Sequence, residues 1–341
     1  MSSSIPYSAE PDDLFYPCKR GEFFPAGRPE LEAALCAEMA RLAYCKQESS
    51  FAFDQDKIRS ILRGIGFSDC KFFESQTDPK GKGVHCFLAS RDDKQLAIVA
   101  FRGTDKDDIK DWGFDLNYNA IPRDWEGRGK VHSGFAKGLD ELLRNQKVGS
   151  ALESIKCKLL FTGHSLGAAM ATLLASLRNA ASLYTFGSPR VGDADFVATL
   201  QGVGNHRFVD CKDVVTHLPK GVGYVHLGKP YYIDVSRKVT FDPSHFFMLE
   251  DGLHADLEYV EKYLRPGNVL LRGLADHAPI NYVWPLAADA AAVKPPSHYR
   301  WWIVQYRTAS NRNEGKPTTR GRAAQWWHGF LCMCGTSGAR L

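Results

Sequence analysis

The chain has 341 residues, of which 44% are hydrophobic and 24% charged. It is long enough for one large α/β domain with appendages, and its composition is unlike that of a disordered protein. The formal net charge is +4. From Lys294 onward, eight basic residues stand against the acid Glu314, so this segment carries +7 and the first 293 residues about −3. The body therefore gives no electrostatic reason to expect nucleic acid as a partner.

Cysteine usage and the N-terminus suggest a compartment. The nine cysteines are odd in number and irregularly spaced, which predicts no disulfide framework and a reducing environment. Cys332 and Cys334 lack a partner pair at zinc spacing and are interpreted as ordinary thiols. Residues 1–16 lack a basic segment followed by an apolar run, and no stretch is long enough to span a membrane. We therefore expect a cytoplasmic protein, with export without a cleaved signal as the alternative.

The first part of the chain predicts a lead-in, two helices and a hairpin. Residues 1–30 are rich in Ser, Pro and polar residues and are expected to be irregular. Apolar residues recur at helical intervals over Leu31–Tyr44, and Ile58–Leu62 resembles the core face of a second helix. Val84–Ser90 and Leu96–Phe101 are short strand-like runs separated by a turn-like segment, which predicts a β-hairpin.

Strand and helix signals then alternate. Helices are predicted over Phe135–Leu143, Ala168–Arg178 and Phe247–Leu264, and strands over Lys158–Thr162, Ser182–Phe186, His206–Val209 and Val222–Leu227. This alternation predicts an α/β fold with a mostly parallel sheet covered by helices on both faces. The Ala- and Pro-rich stretch from Leu286 to Pro296 suggests that a catalytic domain spans residues 31–290, followed by an extension over residues 291–341.

One pentapeptide fits a motif for a nucleophilic serine and lies between a predicted strand and a predicted helix. Residues 163–167 read Gly-His-Ser-Leu-Gly and fit G-x-S-x-G. A predicted strand runs into them and a helix rich in small residues runs out, as a nucleophile elbow requires. Such a turn strains the serine backbone and places it at a helix N-terminus, where N–H groups favour a developing oxyanion. Ser165 is therefore the candidate nucleophile.

The resemblance extends well beyond the elbow. Together with it, five further motifs occur in the order seen in class 3 lipases, which the chain resembles from Leu31 to Tyr282. These motifs are Phe101–Thr104, His132–Phe135, Thr185–Gly192, Asp213–Pro219 and Asp276–His277. The resemblance implies an α/β-hydrolase fold and a lipase or carboxylesterase acting on lipid esters through an acyl-enzyme, without a metal or organic cofactor. One departure is Ala168, where many relatives have a second glycine; a small residue still suits close packing.

A serine hydroxyl needs a base, and the base needs a carboxylate to fix its tautomer. In this fold the acid precedes the histidine in the chain. Asp213 follows a predicted strand and matches the family's acid, with Asp210 as its nearest rival. Spacing does not select among the seven later histidines. The resemblance selects His277, with His245 as runner-up, and His164 is expected to have a packing or hydrogen-bonding role.

The remaining site residues are also assigned by the resemblance. The oxyanion hole would use the N–H groups of Leu166 and Thr104, with the Thr104 hydroxyl as a further donor, and His132–Phe135 would be scaffold near the pocket. A lid would span Asp105–Leu116, where charged residues beginning with Asp105 leave Ile109 and Trp112 as bulky apolar anchors before Phe114. Such a lid predicts weak interfacial activation and a preference for soluble or micellar esters.

Other functions stay open at this point. The same chemistry could act on phospholipids, as in a phospholipase A, or the chain could be a catalytically silent lipid-binding protein. The segment after Ser297 holds Trp301-Trp302 and Trp326-Trp327 among basic residues. It is interpreted as a loosely ordered extension or, alternatively, as a contact with an anionic membrane surface. The sequence does not reveal the oligomeric state.

Overall fold

The computed structural model describes residues 5–47, 52–75, 83–91, 95–104, 121–145, 148–178, 180–220 and 223–288. The chain divides into two units, residues 1–293 and 294–341, and every described residue belongs to the first. Among these residues, no helix is both long enough and apolar enough to cross a membrane. The predicted boundaries of the catalytic domain and its extension stay predictions.

The strands of the first unit form one large sheet and one small hairpin. The sheet has eight strands in the order β1-β2-β3-β6-β7-β8-β9-β10, and β4 pairs with β5. Pairing is parallel from β3 through β9 and antiparallel at both edges. The bounds are β1 Phe67–Glu74, β2 His85–Arg91, β3 Leu96–Phe101, β4 Pro122–Asp124, β5 Lys130–His132, β6 Lys158–His164, β7 Ser182–Phe186, β8 Gly204–Asp210, β9 Pro230–Ile233 and β10 Val239–Phe241.

Helices cover both faces of the sheet. In chain order they are α1 Pro11–Phe15, α2 Glu32–Leu42, α3 Gln55–Gly64, α4 Ser133–Asn145, α5 Val148–Glu153, α6 Leu166–Leu177, α7 Ala194–Ala198, α8 His245–Lys262, α9 Arg272–Ala275 and α10 Pro279–Ala288, with a 3₁₀ turn over Val214–His217. One core packs α2, α3 and α10 on one face, and a second core packs α4 and α6 on the other. The predicted α/β class with a mostly parallel sheet is confirmed.

The strands differ from the sequence prediction at several places. Strands β1, β9 and β10 and the hairpin of β4 with β5 were not predicted. The described part of the predicted strand over residues 222–227 forms only an isolated bridge between Val225 and Gly192. The free edge of β8 pairs with β9 instead, so the predicted run has no sheet partner there.

The predicted lead-in contributes to the core. Residues 11–15 form α1, and Ala9, Leu14 and Phe24 are buried in the first core. The side chain of Asn281 holds the Ser8 backbone at both ends, accepting from its N–H at 2.9 Å and donating to its carbonyl at 2.8 Å. These hydrogen bonds join the lead-in to α10, although Ser8 and Asn281 are 273 residues apart in the chain.

The cysteine spacing predicted no disulfide framework, but the structure contains one disulfide. Cys18 of the lead-in is bonded to Cys45, which lies just after α2. Cysteine spacing does not reveal this pair, because only the fold brings the two thiols together. Among the described cysteines, Cys36, Cys70, Cys86, Cys157 and Cys211 are free.

A half-buried histidine in β8 makes a testable contribution to pH-dependent stability. His206 stacks on Tyr184 with ring centroids 4.4 Å apart, and burial lowers the pKa of His206 to about 4. Its pKa in the unfolded chain is about 6.5. The unfolded state therefore binds the His206 proton more strongly than the folded state. The contribution of neutral His206 to the free energy of unfolding is fully present above about pH 6.5 and is lost as the pH falls towards 4.

Replacing this ring without removing the stacking tests the effect. His206→Phe should flatten the decline in unfolding free energy between pH 6.5 and pH 4 by about 1.4 kcal/mol per pH unit. Urea unfolding at four pH values measures the slope, with the same substitution at the exposed His254 as the control. Equal slopes for His206→Phe and the wild type would contradict the assignment.

Candidate active site

The turn between β6 and α6 holds Ser165 in a strained conformation. Ser165 has φ 59° and ψ −127°, a backbone region that costs a non-glycine residue free energy. It is 3% exposed, and its N–H donates to the Phe186 carbonyl at 3.0 Å. A Cβ on Gly163 would lie 2.3 Å from the Gly167 carbonyl, and one on Gly167 would lie 2.4 Å from the Phe101 carbonyl oxygen. Close backbone approach therefore requires both glycines of the motif.

The structure brings Ser165, His277 and Asp213 together although more than 60 residues separate the last two. His277 Nε2 lies 2.9 Å from Ser165 Oγ, and His277 Nδ1 lies 2.8 Å from Asp213 Oδ2. Since an ionised carboxylate only accepts hydrogen bonds, Nδ1 carries the proton. Nε2 therefore presents its lone pair to the serine hydroxyl, which is the geometry of a general base.

The carboxylate of Asp213 is fully buried and has several donors. Oδ1 accepts from the Val215 N–H at 2.9 Å, and Oδ2 accepts from the Tyr282 hydroxyl at 2.6 Å as well as from His277. Burial, and then the nearby Asp213 charge, raises the pKa of Tyr282, so this phenol stays protonated and keeps donating. These donors compensate the desolvation of the carboxylate.

The two rival residues lie elsewhere. Asp210 forms a buried two-point ion pair with Arg237, with nitrogen–oxygen distances of 2.8 and 2.9 Å. His245 is the first residue of α8 and is exposed. Of the candidates considered, only Asp213 and His277 form a hydrogen-bonded chain to Ser165 within the described residues.

Of the two predicted oxyanion donors, Thr104 is buried and Leu166 is partly buried. Leu166 is the first residue of α6, so its N–H has no acceptor inside the helix. Thr104 is 9% exposed and follows β3, and its hydroxyl has no hydrogen-bond partner among the described residues. The predicted lid residues Asp105, Ile109 and Trp112 lie outside the described residues, as does the basic segment after Lys294.

A second histidine, His164, contacts the backbone of His277. His164 Nε2 lies 2.8 Å from the His277 carbonyl oxygen, and its Nδ1 lies 2.7 Å from the Tyr44 hydroxyl. A carbonyl only accepts, so Nε2 donates and Nδ1 accepts the phenolic proton. Burial, followed by the proximity of His277, lowers the pKa of His164 well below its ordinary value, which keeps this ring neutral. No sequence motif predicts this role for Tyr44, which is 120 residues from its partner.

Asp276 connects the segments that carry the acid and the base. It is fully buried, and its Oδ2 accepts from the Lys212 N–H at 2.9 Å and from Arg272 Nε at 3.2 Å. Its Oδ1 accepts from the Tyr7 hydroxyl at 2.7 Å. Lys212 precedes Asp213 and Asp276 precedes His277, so this carboxylate holds the two segments together from the side of the lead-in.

Gly187 packs directly against the acid and base. It has φ +58°, and an added Cβ would lie 2.7 Å from Asp213 Oδ2 and 3.0 Å from His277 Nδ1. We expect Gly187→Ala to displace one of these groups and lower kcat/KM for ester substrates by about 100-fold or more. Ester hydrolysis measures this.

Gly66→Ala is the matched control for Gly187→Ala. Gly66 has φ +86° and no atom within 4 Å of an added Cβ. Both substitutions strain the backbone, but only the one at Gly187 disturbs the site. Similar activity in the two variants would contradict the predicted clash.

Solved structures share this architecture. The nonglycosylated Lip2 lipase of Yarrowia lipolytica superposes with a TM-score of 0.52 at 20% identity, covering 72% of this chain and 94% of that one. At this identity the likeness establishes the α/β-hydrolase fold alone.

Relatives found by sequence have higher identity to this chain but match a smaller part of it. A lipase of Rhizomucor miehei is 33% identical over 228 residues, which cover 60% of each chain. The secreted mono- and diacylglycerol lipase A of Penicillium cyclopium is 38% identical over 182 residues, covering 50% of this chain and 58% of the relative. The chain thus spans about 60% of the length of these curated relatives.

The prediction of a cytoplasmic protein is wrong. A relative named above is a secreted lipase, and this finding points to export. The disulfide between Cys18 and Cys45 agrees, because such bonds persist in oxidising compartments. The cysteine count misled the prediction because one isolated bond leaves no pattern in the spacing.

The central part of the sheet carries the family signature. Residues 98–222 match the family described as Lipase (class 3). This range includes most of β3, the turn at Ser165 and the segment at Asp213. Over this range the chain is similar to the class 3 lipases.

Proposed function

We propose that this chain is a serine hydrolase that cleaves carboxylic esters of lipids. The observation that supports this most strongly is the hydrogen-bonded chain from Asp213 Oδ2 through the His277 ring to Ser165 Oγ, with distances of 2.8 and 2.9 Å. A buried carboxylate, an oriented imidazole and a hydroxyl on a strained turn together form the arrangement that activates a serine.

The proposed reaction has two halves. His277 Nε2 takes the hydroxyl proton as Ser165 Oγ bonds to the ester carbonyl carbon, and the resulting oxyanion accepts from the N–H groups of Leu166 and Thr104. The imidazolium then gives its proton to the departing alcohol, which leaves an acyl-enzyme. Next, His277 takes a proton from water as the water oxygen bonds to the acyl carbon. The bond between the acyl carbon and Ser165 Oγ then breaks as His277 returns that proton to Oγ, which releases the acid and the free serine. Asp213 stabilises the imidazolium in both halves.

Labelling tests whether the site is active. A fluorophosphonate probe should modify the wild-type chain and leave Ser165→Ala unmodified, while Ser150→Ala, an exposed serine in α5, should label normally. Absence of serine-dependent label would indicate a silent lipid-binding protein instead.

Substrate assays refine the class. Two relatives are named mono- and diacylglycerol lipases, so we propose that acylglycerols and simpler acyl esters are hydrolysed. Rates on p-nitrophenyl esters of rising chain length, on mono-, di- and triacylglycerols and on phosphatidylcholine would rank the candidates. A rate on phosphatidylcholine that exceeds the others would favour a phospholipase A instead.

We also propose, as a finer point, that the basic segment from Lys294 onward adds contact with anionic membranes. Its +7 charge and paired tryptophans support this. Binding of a chain ending at Lys294 to phosphatidylserine liposomes should be weaker than binding of the full chain, and unchanged binding would remove the idea.

A further inference from the structure

The longest described helix has apolar residues on two opposite sides. On its inner side, α8 buries Asp251, Gly252, Ala255 and Tyr259 against the rest of the unit. Helical periodicity predicts this helix from the spacing of its leucines, but these leucines lie on the other side and are exposed. We name this set the outer row; its members and exposed fractions are Phe246 75%, Leu249 57%, Leu253 66%, Leu257 71%, Val260 62% and Leu264 49%.

The outer row is a continuous stripe. Its members recur every three or four residues, so they lie above one another on one side of the helix. From Phe246 to Val260 the stripe is about 21 Å long at about 1.5 Å per residue, and Leu264 follows just after the helix ends. Leu270 and Leu271, in the segment that follows, are 70% and 64% exposed. Single exposed leucines are ordinary, but a row of this length marks an interaction surface.

The acidic side chains beside the outer row limit which kinds of surface can bind to it. The one lysine of the helix, Lys262, is paired with Glu258 at 2.7 Å, and Asp256 is paired with Lys212 at 2.8 Å. Glu250 and Glu261 are separated by three helical turns and therefore lie along one side of the row. An anionic membrane would be repelled by these carboxylates.

A second copy fits poorly for the same reason. If two α8 helices packed antiparallel about a twofold axis, Glu250 of each would face the Glu261 side of the other, and like charges at such positions destabilise a helix pair. Protruding aliphatic side chains do not need a matching partner surface when they enter lipid. An uncharged or zwitterionic lipid surface therefore fits both the apolar row and its acidic side.

We propose that the outer row of α8 is a docking surface for uncharged or zwitterionic lipid. Asp256 of this helix pairs with Lys212, the residue before Asp213, and Leu271 is the N-cap residue of α9, just ahead of His277. Docking would place the segments that carry the acid and the base near the lipid. The benefit to catalysis rests on the proposed function, whereas the binding itself does not.

Vesicle binding without turnover tests the proposal. In full-length Ser165→Ala protein, the further change Leu253→Ser/Leu257→Ser should weaken co-sedimentation with phosphatidylcholine vesicles at least tenfold, because these two side chains protrude furthest within the middle of the row. The matched control is Val225→Ser, an apolar residue 38% exposed outside the row, which should bind as before. Glu250→Gln/Glu261→Gln should increase binding to phosphatidylserine vesicles at low salt and leave phosphatidylcholine binding unchanged.

Two outcomes would overturn the proposal. One is equal phosphatidylcholine binding with and without the Leu253→Ser/Leu257→Ser change. The other is a concentration-dependent dimer in sedimentation velocity that Leu253→Ser/Leu257→Ser abolishes, which would assign the row to a second copy. With Ser165 intact, the Leu253→Ser/Leu257→Ser variant should hydrolyse soluble p-nitrophenyl butyrate at the wild-type rate, which shows that the fold is retained. A wild-type chain that binds vesicles but hydrolyses no ester would refute the proposed function and leave the docking surface standing.

Discussion

Asp213→Asn should lower kcat for ester hydrolysis by roughly 10³- to 10⁴-fold while leaving the fold intact. The substitution keeps the shape of the side chain but replaces one oxygen by an NH₂ group. In the wild-type protein, Asp213 Oδ2 accepts from both His277 Nδ1 and the Tyr282 hydroxyl. An amide nitrogen in that position would therefore meet two donors. If the carbonyl oxygen stays in that position, the negative charge that stabilises the imidazolium is still absent.

The comparison with another capping aspartate separates catalysis from stability. Asp213 accepts from the Val215 N–H at the start of the 3₁₀ turn, and Asp193 accepts from the Phe196 N–H at the start of α7. Asparagine caps helices as well as aspartate does, so both variants should remain folded by circular dichroism. Asp193→Asn should retain activity and fluorophosphonate labelling, whereas Asp213→Asn should be labelled far more slowly. Equal labelling rates would exclude Asp213 as the residue that orients the base.

Arg237→Met should destabilise the protein by about 3–5 kcal/mol, because it leaves the Asp210 carboxylate buried without a partner. Both side chains are almost completely inaccessible, and the guanidinium also donates to the Asn281 carbonyl. Asp210 is near the site, since its N–H donates to the Tyr282 hydroxyl that in turn donates to Asp213. Urea unfolding at pH 7 measures the loss.

Removing the orphaned charge should restore part of that stability. Asp210→Asn/Arg237→Met carries no unpaired ion and is expected to unfold at a higher urea concentration than Arg237→Met alone. The exposed pair of Arg128 with Glu126 provides the control, because Arg128→Met should leave the midpoint unchanged. A single variant as stable as the wild type would show that this ion pair does not hold the region together.

The sequence determined the local features of the candidate site. A strand, a tight turn between two glycines and a helix of small residues follow from neighbouring residues, so Ser165 was predicted from its own surroundings. Asp213 and His277 were assigned through the order of the motifs, and the structure brings both to Ser165. The alternation of strands and helices likewise predicted the mostly parallel sheet, because hydrophobic periodicity records which local backbone form can bury its apolar side.

Tertiary structure decided what depends on residues far apart in the chain. Spacing alone left His245 beside His277, and nothing linked Tyr44 to His164, Cys18 to Cys45 or Arg237 to Asp210. In α8, helical spacing predicted the element but not its orientation, because apolar residues occur on both sides of the helix. Which side is buried depends on what the neighbouring elements can cover, and the fold covers Ala255 and Tyr259 while leaving Leu253 and Leu257 exposed. Periodicity specifies a helix, but only packing against the rest of the chain selects its inner side.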